Sequence, residues 1–369
     1  MSVRDQLPAI AGVAYLNAGT NGPMPEAAGE AMRRELAESL TRPRITKNAF
    51  DGLFAVRDRT RAALARTVAA PPEQLALTSS TTQGVGLVVA GIDWSAGDEV
   101  ITTTEEHQGL LSPLDVAARR CGVVVRAVPA EQIESAVGPS TRLVAVSHVL
   151  WTTGRVLDLP SLAEVCREHD SMLLVDGAQS GGAIVVDAPA SGADFYAFSG
   201  QKWLLGPQGS GGLWISPARV EQVWPAVSGY LNLEQGQVGS FKTTAGRLDG
   251  GSVDSVTLAG LAAAIEWVES LPGGRAAWIE RTAANAERAR RRLAAVAGIE
   301  LADPGPERGP LIALSIAGAD DLPALVAGLA ERGVLVRFIP NTPYLRVSIG
   351  AWTSDEDVDR LIDGITALI

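Results

Sequence analysis

Between residues 74 and 215 short runs of apolar residues, many of them β-branched or aromatic, alternate with longer stretches in which apolar positions recur every three or four residues. The runs predict strands at 75–78, 99–103, 123–128, 143–147, 172–175, 195–198 and 212–215. The stretches predict helices at 25–40, 54–69, 82–91, 110–121 and 159–170. Strand and helix alternating in this way is the pattern of a mostly parallel sheet covered by helices. Several runs are too short to carry weight singly; their regular spacing is the stronger signal.

Beyond Trp214 the texture changes. Residues 220–251 are rich in Gly, Gln, Ser and Thr with little periodicity and predict a long functional loop or connector. An apolar-striped helix follows at 254–270, then a break at Pro272-Gly273-Gly274 and an arginine-rich surface helix at 276–296. Strands are expected at 310–316, 334–338 and 345–349, and helices at 321–332 and 354–369, the last opened by a capping box of Ser354 and Asp357. The fold class read from this is α/β: a large domain, 16–253, whose sheet is sandwiched by helices, and a smaller α+β domain, 254–369, joined by the N-terminal segment 1–15. Neither internal repeats nor low-complexity tracts interrupt it.

A chain of 369 residues with 46% hydrophobic and 20% charged residues has ample material for such cores. The formal charge of -11 argues against nucleic acid or an anionic membrane as partner, since both call for a basic face. No apolar run reaches spanning length, and the N-terminal residues lack a signal-peptide core. The two cysteines, Cys121 and Cys166, suggest neither a metal site nor a disulfide framework. A cytoplasmic protein is expected, with no metal.

The candidate chemistry falls at predicted strand ends. Lys202 is one of only three lysines, with Lys47 and Lys242, and follows the aromatic run 195–198 after a Ser199-Gly200 turn. A lysine desolvated at the C-terminal edge of a sheet loses its proton near neutral pH and attacks an aldehyde to form a Schiff base; otherwise it is a solvated lysine beside a turn. Asp176 ends the run MLLVD, either as a turn former or as the carboxylate that keeps a cofactor's ring nitrogen protonated. Ser80, Thr81 and Thr82 stand at a helix start, where hydroxyls and free N–H groups either cap the helix or bind a phosphate. His107 follows another strand and suits ring stacking or proton transfer. His148 suits a structural hydrogen bond, and His169 lies in a helix C-terminal turn. All four candidate sites share one sheet edge, which makes four separate structural explanations the less economical reading.

The order TSSTTQG, EHQG, DGAQ, FSGQKWLLGPQGSG resembles the class V aminotransferases and cysteine desulfurases, pyridoxal-phosphate enzymes of fold type I. The similarity runs from Tyr15-Leu16-Asn17 to the final helix, and the lysine segment is its most specific part. The resemblance implies that Lys202 anchors the cofactor covalently, Asp176 pairs with the pyridine nitrogen, Gln179 contacts the ring hydroxyl and His107 stacks on the ring. It further implies that Thr82, Ser199 and Thr81 serve the phosphate, beside Ser80 of the same helix start, and that Arg346 binds the substrate carboxylate with Asn17 and Trp151 nearby. Trp151 stands where cysteine desulfurases usually have an asparagine. Arg247 to Ser252 resembles the stretch that reaches a neighbouring subunit's phosphate, which implies a homodimer completed by Ser252. One departure matters: the segment FIPNTPY between Arg337 and Arg346 is short and has no cysteine, which disfavours persulfide chemistry. Transamination of an amino acid is expected first, β-elimination as a carbon–sulfur lyase next and epimerisation third. A nicotinamide oxidoreductase lacks its glycine fingerprint here, and a non-catalytic ligand-binding or scaffold protein is the remaining alternative. Arg247 and Arg337 could each recognise a second acidic group or serve the structure alone.

Overall fold

The computed structural model of the chain describes residues 2–249 and 254–369. After β1 (Ala14–Tyr15) come helices α1 (Glu26–Thr41) and α2 (Lys47–Thr67). An alternating series follows: β2 (Leu75–Thr78), α3 (Thr81–Gly91), β3 (Glu99–Thr103), α4 (Gln108–Cys121), β4 (Val124–Val128), the short α5 (Ile133–Ala136), β5 (Thr141–Ser147), α6 (Leu159–Glu168), β6 (Met172–Asp176), β7 (Phe195–Ser199) and β8 (Gly211–Ile215). Seven of these strands form one sheet in the order β2-β8-β7-β6-β5-β3-β4. All run parallel except β8, which is antiparallel to both neighbours.

Side chains alternate across the sheet into two apolar cores, which is why its strands read as almost unbroken apolar runs. Leu77, Val144, Val146, Leu173, Val175 and Phe198 face a core shared with α2, α6 and the later helix α7 (Ser255–Ser270). Ala76, Val100, Leu143, Ala145, Leu174 and Leu213 face the other, shared with α3 and α4. Because β2, β3, β5, β6 and β7 point the same way, their C-terminal ends gather at one edge. There Gly211 opens β8 between Thr78 and Ser199. A Cβ at Gly211 would lie 2.6 Å from the Phe198 carbonyl oxygen and 2.9 Å from Thr78 Oγ1, so that junction requires glycine.

The C-terminal part adds α8 (Gly274–Ala294), β9 (Ile299–Leu301), β10 (Leu311–Ile316), α9 (Leu322–Glu331), β11 (Val334–Leu335), β12 (Arg337–Phe338), β13 (Leu345–Ser348) and α10 (Asp355–Thr366). Its antiparallel sheet, β12-β13-β10-β9, packs on α8, α9 and α10. The capping box at the head of α10 is formed by Ser354 and Asp357. The strand expected over 334–338 divides at buried Val336: β11 pairs with β1, and β12 with β13. β1 and β9 escaped the sequence reading because two or three residues carry no period. The helix at 254–270 belongs with the large sheet: Leu258, Leu261 and Ile265 of α7 lie in its core, and the Leu258 carbonyl accepts from Thr60 Oγ1 at 3.0 Å. We propose a domain boundary at the turn after α7, not at 254. The N-terminal segment reaches the small domain through the β1–β11 pair and an Arg4–Asp357 ion pair of 2.6 Å. Among the described residues no helix is long and apolar enough to cross a membrane.

Candidate active site

A cavity of about 180 Å³ opens at the C-terminal edge of the large sheet, with Thr81, Thr82, His107, Asp176, Ser199 and Lys202 on its wall. Lys202 lies three residues past β7, and its backbone is pressed by the N-terminal segment. Gly22 N donates to the Gln201 carbonyl at 2.7 Å, and a Cβ on Gly22 would fall 2.0 Å from the Lys202 carbonyl oxygen. Burial pushes the Lys202 amine down to about 8, Asp176 opposing and Arg346 and Arg337 assisting. An amine with that value is partly neutral at physiological pH and able to act as a nucleophile or base.

Asp176 ends β6, buried, with Oδ1 accepting from Ala178 N at 2.9 Å. Burial raises its pKa, while Lys202 and the Ala178 N–H lower it. Gln179 ties the floor together, its Oε1 accepting from Trp203 Nε1 and its Nε2 donating to the Gly19 carbonyl, both at 2.9 Å. One amide hydrogen of Gln179 remains for another partner.

At the opposite wall Ser80 Oγ accepts from Gln83 N at 3.1 Å, so its hydroxyl serves as the N-cap of α3. Thr81 Oγ1 and Ser199 Oγ are buried and have no hydrogen-bond partner among the described residues. Thr82 Oγ1 would lie 2.5 Å from a Cβ on Gly109, so the glycine lets α4 approach α3 beside the cavity. His107 caps α4, Nδ1 accepting from Gly109 N at 3.0 Å, and stands edge-on to Trp151 with ring centroids 5.0 Å apart. Its pKa is pushed down to about 4 by desolvation and by the charges of Lys202, Arg337 and Arg346. The residue is exposed, so the three cations are the stronger ground for a neutral ring; with Nδ1 accepting, its proton sits on Nε2.

Arg346 on β13 is buried. Its Nη1 donates to the Trp151 carbonyl at 3.4 Å and its Nη2 to Thr20 Oγ1 at 3.3 Å, while Nε has no acceptor among the described residues. Burial, with Arg337 nearby, pushes it down to about 9. Arg337 Nη1 also donates to Thr20 Oγ1, at 3.4 Å. Asn17 lies beside this pair, its Oδ1 accepting from Thr20 Oγ1 at 2.8 Å.

Other residues singled out in the sequence lie elsewhere. Arg247 is sandwiched by Trp224 and Phe241, 5.5 and 5.3 Å from their ring centroids, and its Nε donates to the Val223 carbonyl; it braces the connector and is absent from the cavity wall. Ser252 lies outside the described residues, and the preceding Asp249 is bound by Arg57 and by Leu77 N. His148 Nδ1 pairs with the Tyr196 hydroxyl at 2.7 Å. Cys121 ends α4, and Cys166 is buried in α6 with its thiol pushed up to about 12 by burial; neither lines the cavity.

Three residues of the site escaped sequence reasoning: Thr20, Ser147 and Glu106. Ser147 lines the cavity at the end of β5, in register with Asp176. Glu106 is buried against it, accepting from Ser147 N at 3.0 Å and Thr103 Oγ1 at 2.8 Å, with Ser147 Oγ 2.5 Å from its second oxygen. Burial raises Glu106 to about 7 despite those bonds. A hydroxyl directly before His148 and an acid directly before His107 were the available signals.

The residues present fit pyridoxal phosphate. Two buried hydroxyls without partners, beside the free N–H groups of the first turn of α3, suit the phosphate. A buried carboxylate suits a protonated ring nitrogen, and a part-neutral amine suits an aldehyde.

The sequence profile of the aminotransferase class-V family matches residues 14–361. The chain is 32% identical to isopenicillin N epimerase of Streptomyces clavuligerus, over 96% of this chain and 95% of that protein. It is 30% identical to a cysteine desulfurase of Salmonella choleraesuis (strain SC-B67), over 80% and 78%. Its fold superposes on the cystine C–S lyase C-DES, in complex with its reaction product cysteine persulfide, with a TM-score of 0.93 at 27% identity over 98% and 99% of the two chains. A mutant of C-DES with glycine covalently linked to its PLP cofactor superposes with a TM-score of 0.94, at 27% identity over 99% of each chain.

Proposed function

Because the chain belongs to the class V aminotransferase family, whose cofactor is pyridoxal phosphate, we propose that it acts at the α-carbon of an amino-acid substrate and that its reaction is β-elimination. Lys202 would hold the cofactor covalently, Asp176 its ring nitrogen, and Thr81, Thr82 and Ser199 its phosphate. His107 would stack on its ring, with Gln179 at its hydroxyl. When bound, the cofactor supplies an electron sink for negative charge at the substrate α-carbon.

Arg346 holds the substrate carboxylate through its guanidinium fork. Lys202 Nζ removes the α-proton, for which a pKa near 8 is well matched. Trp151 and His107, their rings perpendicular, stand together beside the cavity. The observation that carries the choice of reaction is the inventory of proton donors and nucleophiles. Among the described residues Lys202 is the cavity's only amine, Asp176 is committed to the ring nitrogen, His107 is neutral and neither cysteine lines the wall. Elimination needs one base. Epimerisation needs a second proton donor, and persulfide transfer needs a thiol. The likeness to a cystine C–S lyase over nearly the whole chain supports the same choice. Transamination, expected first from the sequence, also uses one base and is the second reading. A cytoplasmic homodimer, with Ser252 completing the partner's phosphate site, belongs to the proposal through the resemblance of residues 247–252.

Incubation of the holoenzyme with amino acids and cysteine conjugates tests this. Pyruvate with ammonia in stoichiometric amounts is expected. A keto acid with a pyridoxamine spectrum would replace elimination by transamination, and inversion without release of product would replace it by epimerisation.

A further inference from the structure

Arg337 and Arg346 stand directly opposite each other across the antiparallel β12–β13 pair, and both reach Thr20 Oγ1. Like charges in that position are destabilising. Among the described residues neither guanidinium has a carboxylate within salt-bridge distance, and the buried Arg346 Nε has no acceptor. Their field reaches the cavity, since both arginines lower Lys202 and His107. With Lys202 they place three basic groups near Asp176, while Glu106 lies buried behind Ser147.

The Thr20 hydroxyl explains how two guanidiniums stay together. It has one hydrogen and two lone pairs. The hydrogen goes to Asn17 Oδ1 at 2.8 Å, which turns both lone pairs to the arginines. The backbone fixes this arrangement: Ser348 N donates to the Leu16 carbonyl at 2.8 Å, and Asn17 bridges to Ser348, two residues beyond Arg346 on β13. A Cβ at Gly19 would come 3.1 Å from Arg346 Nη2 and 2.9 Å from Ser348 Oγ, so this glycine lets the segment lie against the guanidinium.

We propose that Thr20 locks Arg337 and Arg346 into one receptor for two anionic groups, so that the substrate is an amino acid with a second carboxylate besides its α-carboxylate. The inference rests on the reading of this cavity as an amino-acid site. The α-carboxylate takes Arg346, and the second carboxylate takes Arg337. Thr20 is a positioning residue, acting through the two arginines.

The test uses holoenzyme and ligands without an amine, which cannot react: succinate, glutarate and adipate against butyrate, titrated by calorimetry. At least one diacid is expected to bind about tenfold or more tightly than butyrate, the worth of one charge-assisted hydrogen bond. Thr20→Val and Arg337→Met should bring that ratio close to one, Thr20→Ser should restore it, and Arg346→Met should weaken diacids and butyrate together. A loss of folding alone would not alter the ratio in this selective way. Equal affinity for butyrate and all three diacids, or a ratio unchanged in Arg337→Met, would overturn the receptor while leaving the cofactor site standing. Failure to take up pyridoxal phosphate, read by absorbance before titration, would overturn the site reading and this inference with it.

Discussion

On the lysine side of the cavity, Asp176, Ser199 and Lys202 stand at the ends of strands fixed by a seven-stranded sheet with a core on each face. On the arginine side, Arg337 and Arg346 stand opposite each other in a four-stranded sheet, and residues 17–22, crossing back from the N-terminus, set Thr20 against both. The first wall holds groups suited to chemistry that does not depend on what the substrate is. The second holds surplus positive charge whose anionic partner has to arrive with the ligand. A division of this kind lets substrate preference change by altering one wall without disturbing the other.

The largest effect is expected on the lysine side. Lys202→Ala should lower turnover by about a thousandfold or more, since it removes both the covalent anchor and the base; single-turnover kinetics on a reconstituted variant measure it. Arg346→Met comes next. Removing one member of a buried charge pair costs about 2–5 kcal/mol, so kcat/KM should fall by a factor of about a hundred, mostly through KM. A fall confined to kcat would move Arg346 to the chemical wall and break the comparison.

The third concerns the ground beneath the lysine side. Glu106 titrates near 7 in the folded protein against an ordinary value of 4.5. Its contribution to stability is therefore fully present below 4.5 and is lost as pH rises through 7. The shift corresponds to about 3 kcal/mol. Glu106→Gln, a neutral isostere, should flatten the pH dependence of urea stability between about pH 4.5 and 7. An unchanged slope would show that Glu106 is already ionised there. The smallest effect joins the two walls. Gly22→Ala places a methyl 2.0 Å from the Lys202 carbonyl oxygen and should cost about 1–3 kcal/mol by overpacking, together with a displaced cofactor absorbance maximum. Stability lost with an unmoved spectrum would mean that the N-terminal segment does not position the lysine.

The two walls also differed in how far they could be read from sequence. Lys202, Asp176 and His107 follow apolar runs long enough to be recognised as strands, and a parallel sheet brings such strand ends together by its topology. The hydroxyls at Ser80, Thr81 and Thr82 were legible as a group, but their division of labour was not, because capping and phosphate binding use the same atoms. On the other wall Thr20 carries no local signature. Its importance arises from contacts with residues more than three hundred positions away, and the strands that carry those partners are two and four residues long. Arg247 shows the same limit from the other direction: its sequence left a ligand role and a structural role open, and the two aromatic faces that brace it are not visible in composition. The helix at 254–270 is legible as a helix, but its apolar stripe does not say which sheet it covers; Leu258, Leu261 and Ile265 lie in the core of the large one.

The central claim is that Lys202 carries the cofactor. The most direct measurement is reduction of the reconstituted holoenzyme with borohydride, followed by digestion and mass mapping of the fixed pyridoxyl group. The account predicts the label on the peptide containing Lys202 and on no other. Label on Lys47 or Lys242, or a protein that takes up no pyridoxal phosphate, would contradict it.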